Sequence, residues 1–207
     1  MKLNYLPMDF ARATCLPLLL LYRMRRIASD GSPYKRKIKG GALVVANHTS
    51  FWDPAYAGVA IWYRRMFFLA AEAVMEGKVR GFLLRHTGAT RIDRNATDIE
   101  AIRKSVDTLK AGHILTIFPQ GQIQRDTPLE TLKPGAVLIA LQAGVPILPL
   151  HIVPKKAWYQ RQCVVFGEEI NPKEYIAGKF PTAKDLDTIT GLLAEKMKGL
   201  GESYEYL

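Results

Sequence analysis

Short apolar runs rich in β-branched residues alternate with helix-length stretches along most of this chain, and this alternation is the feature that most restricts its fold. Ala42–Ala46 (ALVVA) has no polar residue and no two-residue alternation, the pattern of a strand covered on both faces. Residues 66–70, 90–92, 114–118, Ile147–Ile152 and Cys163–Phe166 read as further strands. Between and after them, 54–63, 76–86, 97–110, 135–142 and 183–199 have helical length and composition. In the third of these, Ile99, Ile102, Val106 and Leu109 recur at three-to-four spacing, which predicts a one-sided helix. Strands interleaved with helices imply an α/β fold with a mixed, largely parallel central sheet flanked by helices. The 207 residues contain no internal repeat, low-complexity tract or dividing linker, so a single domain is expected.

Charge narrows the partners. The sequence holds 29 Lys and Arg against 19 Asp and Glu, a formal charge of +10, so an acidic partner is expected. The basic clusters at 23–26 and 35–39 adjoin an apolar run and do not interleave with stacking aromatics, which favours an anionic membrane surface over nucleic acid. Residues 6–26 mix Leu, Met, Phe and Tyr with Arg12, Arg23, Arg25 and Arg26, and Pro17 interrupts them. They read either as a kinked helix lying among headgroups or as a terminal helix packed on the core. On the first reading, residues 1–29 are an N-terminal membrane-docking segment and 30–207 the remaining domain. The apolar run 15–21 is far short of the roughly 20 residues a spanning helix needs, and no small-residue cleavage site follows it. Cys15 and Cys163 lie far apart without CxxC or Cys/His spacing, so neither a disulfide framework nor a zinc site is expected, and a reducing compartment is.

Asn47-His48-Thr49-Ser50-Phe51-Trp52-Asp53-Pro54 places a His at a strand end and a carboxylate five residues on, where a helix is expected to open. A turn brings the two together. An imidazole can take a hydroxyl proton, while a carboxylate on its other nitrogen fixes the tautomer and stabilises the imidazolium. No Gly-flanked elbow marks a protein nucleophile, which points to attack by a hydroxyl of the substrate, with Ser50 as the alternative. The structural alternative makes Asp53 a helix cap before Pro54 and His48 a buried polar residue. In GATRIDR (88–94), Arg91 and Arg94 offer planar forks for phosphate, or pair with Asp93 or Glu100 on the surface. FPQGQ (118–122) follows a strand and presents Gln120 at a sheet edge where ligand groups commonly bind. VPILPL (145–150) carries two prolines, so this strand is expected at an edge, at a bulge or along a pocket wall.

In order and spacing these segments resemble the glycerolipid acyltransferase family, whose best-known members are 1-acylglycerol-3-phosphate acyltransferases. The likeness runs from about residue 42 to 170 through NHTSFWD, GATRIDR, FPQG, LKPGA (132–136), VPILPL and VVFGEEI (164–170). It implies an α/β fold and transfer of a fatty acyl group from acyl-CoA or acyl-carrier protein to a lysophospholipid hydroxyl in phospholipid biosynthesis, with no metal, cofactor or covalent intermediate. His48 takes the place of the general base and Asp53 of its orienting carboxylate; Arg91 and Arg94 fall where acceptor phosphate is bound, and Gly121 where backbone N–H groups meet the oxyanion. Two positions depart from the family: Gln120 stands where a Glu is usual and Ile123 where an Arg is usual. Arg125 and Lys133 are the nearby cations that can compensate. The implied acceptor is 1-acylglycerol-3-phosphate; a glycolipid, another hydroxylated lipid or a non-catalytic lipid-binding role are the alternatives. A monotopic position on the cytoplasmic face of a membrane is expected, with an acyl thioester, a lysolipid and anionic lipids as partners and no nucleic acid.

Overall fold

The computed structural model describes residues 24–71, 89–92, 98–119, 132–155, 160–176, 178 and 180–205, together with Leu6, Asp9, Phe10 and Ala13. Among them, the strands β1 (Arg25–Ala28), β2 (Ala42–Ala46), β3 (Met66–Ala71), β4 (Ala89–Ile92), β5 (Ile114–Ile117), β6 (Ile147–Ile152) and β7 (Cys163–Phe166) form one sheet in the order β1-β7-β6-β2-β5-β3-β4. Strands β2 to β6 are mutually parallel, β7 runs antiparallel to β6, and β1 follows β7 in parallel. The mixed, mainly parallel sheet read from the sequence is therefore present.

Side-chain alternation along β2 splits the core in two. Val44 and Ala46 meet Ala57 and Ala60 of helix α1 (Asp53–Ala60) and its capping residue Ile61 on one face, with Leu148, Leu150 and Phe166. Leu43 and Val45 meet the other face, where α2 (Ile99–Lys110), α3 (Gly135–Ala143) and α4 (Ala183–Glu205) contribute Val106, Leu109, Val137, Ile139, Ile189 and Leu193. Because both faces are covered, every residue of β2 is buried, and each large side chain so placed stabilises the fold by about 1.5–3 kcal/mol. The parallel strands bring their carboxyl ends to one edge, and β2 delivers Asn47 and His48 there.

Several elements differ from the sequence reading. Arg25–Ala28, expected inside the membrane-docking segment, is a strand of the sheet. Helix α1 closes at Ala60, with Ile61 capping it. Ile99 is the first residue after the Asp98 cap, whose carboxylate accepts from Ala101 N–H at 2.9 Å, and it is exposed, whereas Val106 and Leu109 are buried and Ile102 packs against the core. Strand β6 is internal, between β2 and β7, and not at an edge. Its Pro149 sits where the pairing slips: Ile147 bridges Ile170 and Leu150 pairs Phe166, leaving two residues opposite three. At that bulge the missing proline N–H breaks no ladder bond, and Pro149 C=O accepts from Gly167 N–H at 2.9 Å. The predicted helix 76–86 lies outside the described residues.

Candidate active site

The ladder between β2 and β6 reaches Ala46 and Leu150. Beyond it the Asn47 side chain continues the pairing: its Nδ2 donates to Ile152 C=O at 2.9 Å and its Oδ1 accepts from Ile152 N–H at 2.6 Å. Buried and doubly bonded, Asn47 fixes the point at which the chain leaves the sheet, and so the position of His48 next to it. Its role was not legible in the sequence because its partner lies 105 residues away.

The turn after Asn47 folds back on Asp53. Oδ2 of Asp53 accepts from Thr49 N–H at 2.6 Å and Ser50 N–H at 2.7 Å and lies 3.1 Å from His48 Nδ1. The helix cap is Trp52, and Asp53 occupies the first helical turn with its carboxylate directed back at this turn. Asp53 therefore organises the turn and is not the helix cap that the structural alternative supposed. Its side chain is 1% exposed and that of His48 18%, so the carboxylate is sealed behind an imidazole that reaches the surface. The imidazole lies against Phe118, ring centroids 4.6 Å apart, so the residue just after β5 supports the ring from the neighbouring strand end. Ser50 Oγ accepts from Trp52 N–H at 3.3 Å, a contact within the turn, and among the described hydrogen bonds none joins it to His48.

Of the other residues singled out in the sequence, Arg91 is exposed at the carboxyl end of β4, level with Ala46 by strand register. Three strand spacings separate β4 from β2, roughly 14 Å, so Arg91 shares the edge with His48 without touching the pair. Lys133 is exposed just before α3. Arg94, Gln120, Gly121 and Arg125 lie outside the described residues. Among the described residues, no three His, Cys, Asp or Glu side chains cluster as metal ligands would. Cys163 is buried, and that burial pushes its thiol pKa up, away from nucleophilic use.

A second histidine lies within reach of the Asp53 charge. His151 on β6 packs against Gly201 of α4, and its buried Nδ1 has no hydrogen-bond partner. Burial lowers its pKa from 6.5 to about 4, with the Asp53 charge opposing the shift. A neutral buried His binds its proton more readily when unfolded, so its contribution to stability is complete above pH 6.5 and is lost as pH falls toward 4. At about 1.4 kcal/mol per pKa unit the whole effect is at most about 3 kcal/mol. Urea unfolding is therefore expected to show wild type losing more stability between pH 7 and pH 4.5 than His151→Gln, by about 2 kcal/mol. Parallel losses in the two proteins would contradict it.

The family assignment follows from a match that spans this site. The acyltransferase family model matches residues 26–153, from β1 through the His48–Asp53 turn to the end of β6. The chain belongs to the acyltransferase family. It is similar to the 1-acyl-sn-glycerol-3-phosphate acyltransferase of Streptococcus pneumoniae, 32% identical over 109 residues, which are 52% of this chain and 40% of that protein. It is also similar to the lyso-ornithine lipid O-acyltransferase of Pseudomonas aeruginosa, 29% identical over 126 residues, covering 58% of this chain and 48% of that one. The chain thus spans less than half the length of these curated relatives. The crystal structure of the 1-acyl-sn-glycerophosphate acyltransferase PlsC from Thermotoga maritima superposes with a TM-score of 0.62 at 20% identity, covering 96% of this chain and 79% of that one, which shows a shared fold.

Proposed function

We propose that this acyltransferase moves a fatty acyl group from a thioester to the hydroxyl of a lysolipid. The contact between His48 Nδ1 and Asp53 Oδ2, at the edge where the parallel strands end, carries the reading. With Nδ1–H directed at the carboxylate, the lone pair is on Nε2. Nε2 takes the proton of the acceptor hydroxyl as that oxygen attacks the thioester carbonyl carbon. The C–S bond then breaks, and the imidazolium returns its proton to the departing sulfur. An ester and a free thiol result, with no acyl-enzyme between. Asp53 stabilises the transient imidazolium, and its burial strengthens that interaction.

In this reading Arg91, Arg94, Arg125 and Lys133 supply positive charge for an acceptor headgroup, Gln120 meets a polar group of the acceptor, and backbone N–H groups near Gly121 face the oxyanion. The acceptor class is 1-acylglycerol-3-phosphate, supported by the name of the Streptococcus relative, and the donor is acyl-CoA or acyl-carrier protein. A lysolipid without free phosphate is the second reading, favoured by Gln120 and Ile123 in place of Glu and Arg and by the lyso-ornithine lipid relative. Such substrates place the enzyme at a membrane surface, on the cytoplasmic face where the donors are made. No described helix is long and apolar enough to cross a membrane. Thiol release measured for each donor against 1-acylglycerol-3-phosphate, lyso-ornithine lipid and a glycolipid tests the proposal. Turnover with the first alone is expected; turnover confined to the others transfers the assignment to them. Lipid binding with no thiol release from any pair would make the chain a non-catalytic lipid-binding protein.

A further inference from the structure

Helix α1 is apolar on its outer side as well as on its buried one. Asp53, Ala57, Ala60 and Ile61 are buried, and at 100° per residue the opposite side presents Trp52, Ala55, Val59 and Trp62. None of these four is charged or strongly polar. Trp52 is 61% and Trp62 51% exposed, and Phe51, at 62%, meets Trp52 edge-on with ring centroids 5.8 Å apart. From Trp52 to Trp62 the stripe extends roughly 15 Å, and its Phe51–Trp52 end belongs to the turn that holds His48.

A basic loop adjoins the Trp62 end. Tyr34 and Ile38 are buried on the same face of the sheet as α1, and between and beside them Lys35, Arg36, Lys37 and Lys39 are exposed. This loop is clamped to the end of α1. Arg64 donates to Ile38 C=O and Gly40 C=O, each at 2.8 Å, and to Gly112 C=O, while the Tyr63 hydroxyl accepts from Ile38 N–H at 3.0 Å. Among the described residues, none of the four loop cations forms an ion pair. Arg36, Lys37 and Lys39 line an open cavity of about 390 Å³ in which Glu169 is the acidic member. A fixed loop that concentrates exposed cations beside an exposed aromatic stripe is complementary to a surface that is anionic outside and apolar beneath.

We propose that this face docks the enzyme on an anionic bilayer, the α1 stripe and Phe51 entering the boundary between headgroups and acyl chains while Lys35–Lys39 contact lipid phosphates. The proposal rests on the reading that the acceptor is a lipid, and it adds where that lipid arrives: the turn carrying His48 faces the membrane, so the acceptor hydroxyl reaches Nε2 without its acyl chain leaving the bilayer. An acidic protein partner would account for the cations but leave Phe51, Trp52 and Trp62 in water, whereas Trp side chains favour the membrane interface.

Sedimentation with phosphatidylcholine vesicles, with and without phosphatidylglycerol, tests the surface. Each basic residue near an anionic bilayer contributes about fivefold in binding, so Lys35→Gln/Lys37→Gln is expected to weaken binding to the anionic vesicles about 25-fold and to leave binding to pure phosphatidylcholine unchanged. Trp62→Ser is expected to weaken binding to both by about tenfold. Turnover of a water-soluble short-chain acceptor stays at the wild-type level in both variants. Wild-type affinity of both variants for anionic vesicles would overturn the proposal, and so would vesicle binding abolished by deletion of residues 1–23 but insensitive to these substitutions. Binding is read without turnover. Variant-sensitive docking with no acceptor ever acylated would therefore sink the acyl-transfer reading alone, and turnover with variant-insensitive docking would sink this one alone.

Discussion

His48→Ala is expected to lower acyl transfer by about 10²–10⁴-fold, the range that a positioned general base supplies. In barrier terms this is about 3–5 kcal/mol. The size of the effect follows from the order of events at Nε2. A lysolipid hydroxyl is a poor nucleophile while it keeps its proton, and the described site offers no other side chain tied to a buried carboxylate to remove it. Nor do the described contacts tie Ser50 to the base: its Oγ accepts from Trp52 N–H, while His48 is partnered by Asp53. The substitution removes a side chain that is 18% exposed and rests on one face of Phe118, so the fold is expected to survive with a loss of about 1 kcal/mol. Thiol release under saturating acceptor gives the turnover, and circular dichroism with thermal unfolding shows whether the protein is intact. A folded variant that turns over at a rate near wild type would remove the imidazole from the mechanism.

Most of the sheet was legible because strands buried on two faces advertise themselves: ALVVA, ILPLHI and CVVF contain so few polar groups that no other element fits them at that length. Strand β1 was hidden by its composition. RRIA reads as membrane-facing charge, yet Arg26 lies in a cage of rings, its guanidinium carbon 5.4 Å from the Phe166 centroid, 5.6 Å from Tyr34 and 5.9 Å from Tyr63. An arginine stem covers apolar surface well, and no periodicity distinguishes that use from a solvated one. The same limit applies at the site. His48 and Asp53 were legible because they are five residues apart in one turn, so local geometry alone brings them into contact. Asn47 and His151 owe their roles to β6 and α4, more than a hundred and about fifty residues distant, which only the fold supplies.

Asp53→Asn separates what the carboxylate does for the turn from what it does for the imidazole. One oxygen takes both backbone N–H groups and faces Nδ1, so an amide has two ways to sit, and neither restores the site. With Oδ1 in that place the geometry is kept, but the bonds lose their charge-assisted strength and no negative charge answers the imidazolium. With Nδ2 there, donors face donors at Thr49 and Ser50, and His48 loses the partner that fixes its tautomer. The stability cost in a site only 1% exposed is expected to be about 1–3 kcal/mol, while turnover falls about 10²–10⁴-fold. If the pair acts as a unit, the double variant His48→Ala/Asp53→Asn is expected to turn over no more slowly than the slower single variant, because once the base is gone there is no imidazolium for Asp53 to stabilise. Its stability, in contrast, is expected to fall to about that of Asp53→Asn, since the turn depends on the carboxylate more than on the ring. Multiplicative losses of activity in the double variant would mean that His48 and Asp53 act on different steps, and the two side chains would then be neighbours without being partners.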